Sequence, residues 1–286
     1  MKKIIITTES CSDIPLEYMK KYDIKTVPLH IVFPTNSVPD GSIPVQKIYD
    51  YYGATKSIPK TSAVNPIEFT KFFDELAEEN EGVEIVHIGY SSACSCTFQN
   101  ALLGVSDCKK AKVHLVDSKN VSGGAGLLTM TAIKILENNP SIEPKELAKK
   151  IEEYVPKMAT WFVPDRLEYL VAGGRVSNAM ALGASILKIK PRIDIIEGEL
   201  IATKRYRGSM IRVVKKLVDD FFAENDLLKE SAYIFYSEGA DKEALEYLKD
   251  EFVNRGFNEA SAFPIGCVMT THGGPGAIGI SAIKNV

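Results

Sequence analysis

The 286 residues hold one tryptophan, four histidines and five cysteines, and no apolar run approaches the roughly twenty residues that cross a bilayer. Cys11, Cys94, Cys96, Cys108 and Cys267 are odd in number and lack zinc-finger spacing, which predicts reduced thiols in a cytoplasm rather than disulfides. Cys94-x-Cys96 has no cluster of His or Cys to complete a metal site, so no metal is expected. Charge of one sign is also lacking. A net charge of -3 leaves no field to draw nucleic acid or an acidic membrane. The apolar core of Met1–Glu9 is too short for a signal peptide, and the expectation is a soluble cytoplasmic protein. Missing as well are Gly-x-x-x-x-Gly-Lys-Ser/Thr, His-Glu-x-x-His and Gly-x-Ser-x-Gly, the marks of a phosphate loop, a zinc protease and a nucleophile elbow. Gly124-Ala125-Gly126 opens a helix but lacks a third glycine, and Asp117-Ser118-Lys119 intervenes after the preceding strand. Close helix–sheet packing accounts for Gly123, Gly124 and Gly126 better than a nicotinamide site, and no cofactor is expected.

What is present is alternation. Strand-like runs at Lys3–Thr7, Ile24–Phe33, Val83–Ile88 and Val113–Val116 alternate with helical patterns at Leu16–Tyr22, Val45–Tyr52, Pro66–Glu79, Thr97–Val105 and Gly126–Asn138. This order implies an α/β domain with a mainly parallel sheet flanked by helices, and ligands collect beyond the carboxyl ends of such strands. Beyond about Lys157 the pattern changes. A strand at Thr160–Val163 and short helices at Arg166–Ala172 and Ala179–Leu187 precede a hairpin, Pro191–Glu197 with Glu199–Tyr206, turning at Glu197-Gly198. A helix at Ser209–Phe222, a strand at Tyr233–Tyr236, a helix at Asp241–Asn254 and strands near Ser261–Phe263, Val268–Thr271 and Ala277–Ser281 follow. The expectation is two α/β domains, 1–157 and 158–286, with a ligand between them.

The chemistry gathers in a few turns. In His87–Ala101 a buried strand runs through Ser91, Ser92 and Ser95 into a helix. Unpaired N–H groups and the positive end of the helix dipole meet there, so the turn suits one carboxylate, or Ser95 caps the helix. Thr61 and Ser62 stand before the helix at Pro66, either capping it or pointing across a cleft toward Ser95. His30, His87 and His114 lie in apolar strand patterns and read as satisfied core or edge residues. His272, in Thr271-His272-Gly273-Gly274-Pro275-Gly276, sits at a strand end opening into a glycine loop. There it contacts a ligand, moves a proton or anchors the loop. Arg175, on the turn Gly173-Gly174-Arg175-Val176-Ser177, reaches the same site or satisfies carbonyls. From Lys188 to Lys216 nine Lys/Arg face three acids, a basic segment that is a solvated face or docks an acidic partner.

Taken together, Thr8-Glu9-Ser10 with Asp13-Ile14-Pro15, Lys60-Thr61-Ser62, Ser91-Ser92-x-x-Ser95-x-Thr97, Val116-Asp117-Ser118-Lys119, Leu167–Ser177, Arg207-Gly208 and Thr271–Gly276 resemble, in order, the DegV family of fatty-acid-binding proteins. The resemblance spans nearly the whole chain. It implies a bacterial carrier, not an enzyme, that encloses one long-chain fatty acid between its domains. The carboxylate is then held by Thr61 and Ser95, with Arg175 and His272 close by and Ser62 and Ser92 as further candidate ligands. It also implies a separate ATP-dependent fatty acid kinase that phosphorylates the acid for phospholipid synthesis, docking near Arg205 and Arg207. A monomer with transient membrane contact is expected.

Burying about 0.8 kcal/mol per CH₂ over some fifteen methylenes gives a gross term near 12 kcal/mol, against about 1.5–3 kcal/mol for each hydrogen bond to a charged group. The tail therefore supplies affinity and the hydroxyls fix the register of the head. Ile186, Leu187 and Ile189 are candidate tail contacts. Glu9 stands where the family has Asp, and Cys94 and Cys96 replace commoner Leu or Ile and Gly. Two alternatives remain. One is a Ser/His esterase or acyl hydrolase using Ser95 and His272, with Glu9 or Asp117 orienting the imidazole. The other is a basic docking protein with an incidental cavity.

Overall fold

A computed structural model describes residues 4–176 and 189–285. Ser177, the helix expected at Ala179–Leu187 and the tail contacts Ile186 and Leu187 lie outside the described residues. Three sheets form. The first is parallel, in the order β2 (Lys25–Val27), β1 (Ile4–Glu9), β6 (Glu84–Gly89), β7 (Val113–Asp117). Every residue of β6 is buried, as expected of a central strand covered on both faces. A small antiparallel sheet orders β4 (Ser37–Pro39), β3 (His30–Val32) and β5 (Lys60–Ser62). The third orders β10 (Glu199–Arg207), β9 (Ile189–Ile196), β8 (Met158–Val163), β13 (Ile278–Lys284), β11 (Leu227–Tyr236) and β12 (Glu259–Pro264), parallel only between β11 and β12.

The helices are α1 (Leu16–Lys21), α2 (Gln46–Thr55), α3 (Pro66–Glu79), α4 (Thr97–Asp107), α5 (Ser122–Asn138), α6 (Pro144–Tyr154), α7 (Leu167–Gly173), α8 (Met210–Glu224), α9 (Lys242–Asn254) and α10 (Cys267–Gly273). Ser122 through Ile133 of α5 are buried without interruption, because the helix lies between the parallel and six-stranded sheets. Its glycines permit that approach. A Cβ on Gly123 would fall 2.3 Å from Phe235 Cδ1, and one on Gly126 would fall 2.5 Å from the Ser12 carbonyl. One apolar core therefore runs from Ile6 to Ile283 through both halves of the chain, and a second lies under α8 and α9.

Three sequence expectations change. The strand expected at Ile24–Phe33 is two strands in different sheets, β2 and β3, because Pro28 has no N–H for a ladder. The helix expected from Gly126 starts four residues earlier, at Ser122. Val268–Thr271, expected as a strand from its β-branched residues, is helical within α10. His272 therefore occupies the last turn of a helix rather than a strand end. Contacts made by the N-terminal N–H groups of α10 override local propensity there.

Candidate functional site

Thr61 lies in β5, opposite Ile31 of β3, and its Oγ1 is 2.8 Å from His272 Nε2. The other ring nitrogen, Nδ1, is buried without a hydrogen-bond partner and rests against Gly173 at the end of α7. A Cβ on Gly173 would fall 2.3 Å from Nδ1. An N–H at Nδ1 would be a buried donor without an acceptor, so the network assigns the proton to Nε2, which donates to Thr61 Oγ1. Burial pushes the imidazole down to about 4, and the Arg175 charge pushes the same way. His272 is thus neutral at physiological pH. Its contribution to stability is complete above the ordinary value of 6.5 and is lost as pH falls through about 4.

Arg175 follows Gly174, whose φ of 64° ends α7, and donates from Nη1 to the Gly173 carbonyl at 2.7 Å. Val176 bridges to Leu200, which brings this turn onto the start of β10. The guanidinium charge reaches His272, Cys94 and Tyr90: it adds to the burial that depresses His272, and it partly offsets the burial that raises the Cys94 thiol and the Tyr90 phenol. The β6–α4 turn is pinned to the tip of the β9–β10 hairpin, where the Gly198 carbonyl accepts from Ser91 Oγ at 2.7 Å and from Cys94 Sγ at 3.0 Å. Burial drives the Cys94 thiol up to about 11, so it is not a reactive thiolate; Cys96 is exposed. All five cysteines are free, and no cluster able to hold a metal occurs among the described residues.

Ser95 Oγ shares a hydrogen with Thr97 Oγ1 at 2.8 Å and accepts from the Thr97 N–H at 3.2 Å, so it does serve the start of α4. Helix α3 is capped neither by Thr61 nor by Ser62. Asn65 and Glu68 cap it reciprocally, at 3.0 and 2.8 Å. Ser62 is exposed and, by strand alternation, faces away from Thr61. Ser92 is held on the rim, its Oγ accepting from Lys119 Nζ at 2.7 Å and its N–H donating to Asp117 at 3.2 Å. The structure therefore joins Thr61, His272 and Gly173, with Arg175 in electrostatic reach, and does not bring Ser62 or Ser92 to them.

The Ser95–His272 pair that a hydrolase requires is not made. Glu9 accepts from the Tyr90 N–H at 2.8 Å and meets His87 at 3.2 Å, while Asp117 pairs with Lys119 at 2.9 Å; neither orients His272. His30 and His114 are held by Glu68 and Glu84, each at 2.8 Å. Under His272 lies an almost wholly apolar cavity of about 40 Å³ walled by Phe162, Leu170, Leu200, Phe235, Met269 and Ile278. The sequence reading missed these walls, which come from separate elements and carry no local motif. Ile189, at the start of β9 opposite Arg207, is not among them. Arg205 and Arg207 are exposed on one face of the edge strand β10, while Tyr206, on the other face, donates to Asp220 at 2.6 Å. No helix among the described residues is long and apolar enough to cross a membrane.

A profile described as an uncharacterised protein of the DegV family matches residues 3–285. A "Fatty acid-binding protein" of Thermotoga maritima is 32% identical, over 97% of this chain and 96% of its own. A DegV domain-containing protein of Clostridium perfringens is 30% identical over 96% of both chains. A DegV family protein of Thermus thermophilus, whose structure is described as one of fatty acid binding, superposes with a TM-score of 0.88. It is 26% identical, with 99% of each chain covered. Family profile, relatives and fold agree over essentially the full length, and the chain belongs to the DegV family.

Proposed function

We propose that this protein binds one long-chain fatty acid with its carboxylate at Thr61 and Ser95 and its tail in the apolar cavity beneath His272. The observation that carries this reading is His272, which lines that cavity and is hydrogen-bonded to Thr61 at 2.8 Å, with the Arg175 charge in reach. Because neutral His272 donates to Thr61 Oγ1, the Thr61 hydroxyl hydrogen is free to point at a ligand oxygen. A carboxylate takes up such donors, and Arg175 complements its charge. Ligand sites span about 300–1,000 Å³. A full acyl chain therefore has to part the walls at Phe235, Leu170 and Met269. We take 1–157 and 158–286 as the two domains, on the ground that the parallel and six-stranded sheets fall on either side of Lys157.

On this reading the protein is a cytoplasmic monomer and a carrier rather than an enzyme. It presents the carboxylate to an ATP-dependent fatty acid kinase, and the acyl-phosphate feeds phospholipid synthesis. Arg205 and Arg207, exposed on one face of an edge strand, are the surface for that partner. The double charge reversal Arg205→Glu/Arg207→Glu should cut acyl-phosphate formation with kinase and ATP about tenfold or more, at unchanged bound fatty acid. Full acyl-phosphate formation by the double variant would remove the kinase from this surface.

A further inference from the structure

Helix α10 has 7 residues, too short to hold its own position in water, yet it carries His272 in its last turn. Three N–H groups at its start are taken by two acidic side chains from the first half of the chain. Gly266 N donates to Asp13 Oδ1 at 2.7 Å, and Cys267 N and Val268 N donate to Asp40 Oδ1 at 3.0 and 3.3 Å. The second oxygens are fixed in turn. Ser122 Oγ, at the start of α5, donates to Asp13 Oδ2 at 2.6 Å, and Ser10 Oγ donates to Asp40 Oδ2 at 2.8 Å. A Cβ on Gly266 would lie 3.3 Å from Asp13 Oδ1 and 3.4 Å from both Asp40 oxygens, so the glycine lets both side chains close on the backbone. Asp13 itself sits at a positive φ of 50°, at the end of the turn that follows β1.

Both ends of α10 are thus referenced to the first half: the N-terminus through Asp13 and Asp40, the C-terminal turn through Thr61. Seven residues of helix span only about 10 Å, so a shift at one end reaches the other as a rigid movement. The geometry points to Asp13 and Asp40 as positioning residues that hold His272 in register with Thr61. This role rests on the fatty acid reading of the Thr61–His272 site. Burial pushes Asp13 up to about 8 although both of its hydrogen bonds favour the anion. Either protonation state leaves an oxygen to accept the Gly266 N–H.

The test compares Asp40→Ala with Asp40→Asn, which keeps an acceptor oxygen for Cys267 and Val268. Oleate affinity and the titration of the His272 imidazole, followed by NMR with His272→Gln for assignment, are measured on the full chain. Asp40→Ala should weaken oleate binding about tenfold and move the imidazole from about 4 toward 6.5. Asp40→Asn should restore both. A folded Asp40→Ala chain with the imidazole still near 4 and affinity unchanged overturns the positioning role while leaving fatty acid binding intact. A wild-type chain that takes up no oleate sinks the underlying reading instead, and the imidazole titration then decides the role of Asp40 alone. If Asp40→Ala does not fold, Ser10→Ala, which removes the hydroxyl orienting Asp40, carries the same comparison. It should move the imidazole in the same direction, and an unmoved imidazole overturns the role.

Discussion

Arg192→Leu should cost about 3–5 kcal/mol of stability, measured by urea or thermal unfolding. Arg192 and Asp194, on β9, are 5% and 6% exposed. The guanidinium donates to Asp194 at 2.8 Å, to Glu224 through two nitrogens at 2.9 Å and to Thr203 at 3.1 Å, and it stacks 3.7 Å from the Trp161 ring centroid. Leucine would leave the Asp194 carboxylate buried, with Thr203 Oγ1 as its remaining donor at 2.8 Å. An unpaired buried charge costs far more than the pair gains, so Arg192→Leu/Asp194→Leu should recover most of the loss. The effect reaches the site because the same hairpin carries the Gly198 carbonyl that pins Ser91 and Cys94. A loss below about 1 kcal/mol would mean that Asp194 finds water in the variant and that the cluster is not a structural centre.

Gly173→Ala is expected to have the largest effect on binding among single changes away from the carboxylate itself. The added methyl would fall 2.3 Å from His272 Nδ1, closer than any real contact allows, and the imidazole must leave Thr61. Fatty acid affinity should drop about ten- to a hundredfold, one to two hydrogen bonds to a charged group, with folding retained because residue 173 is only half-buried. The neighbouring Gly174→Ala is the control. It meets open space, and its positive φ of 64° adds backbone strain of about 1–3 kcal/mol, but it touches no site residue. Equal affinities for the two variants would show that the position of His272 does not matter to the ligand.

How far the sequence alone discloses this arrangement depends on the range of the forces at each place. Turn chemistry is local, and the hairpin at Glu197-Gly198 falls where expected, with φ values of 51° and 88° at the two turn residues. The parallel sheet is legible for the same reason, since strands buried on both faces read as apolar runs between helices. Helix α10 is not legible. Val268, Thr270 and Thr271 favour a strand locally, and the groups that decide otherwise, Asp13 and Asp40, lie more than two hundred residues away. Strand β5, three residues long, is too short to show a period, so the sequence could not tell that Thr61 and Ser62 face opposite ways. The cavity walls at Phe162, Phe235 and Met269 each look like ordinary core, and only the fold makes them one surface.

Mass spectrometry of the small molecules extracted from the purified protein, with Thr61→Ala/Ser95→Ala alongside, tests the central claim most directly. A near-stoichiometric long-chain fatty acid in the wild-type chain, depleted in the double variant, is the predicted result. An empty wild-type protein that also fails to take up added oleate or palmitate would contradict it.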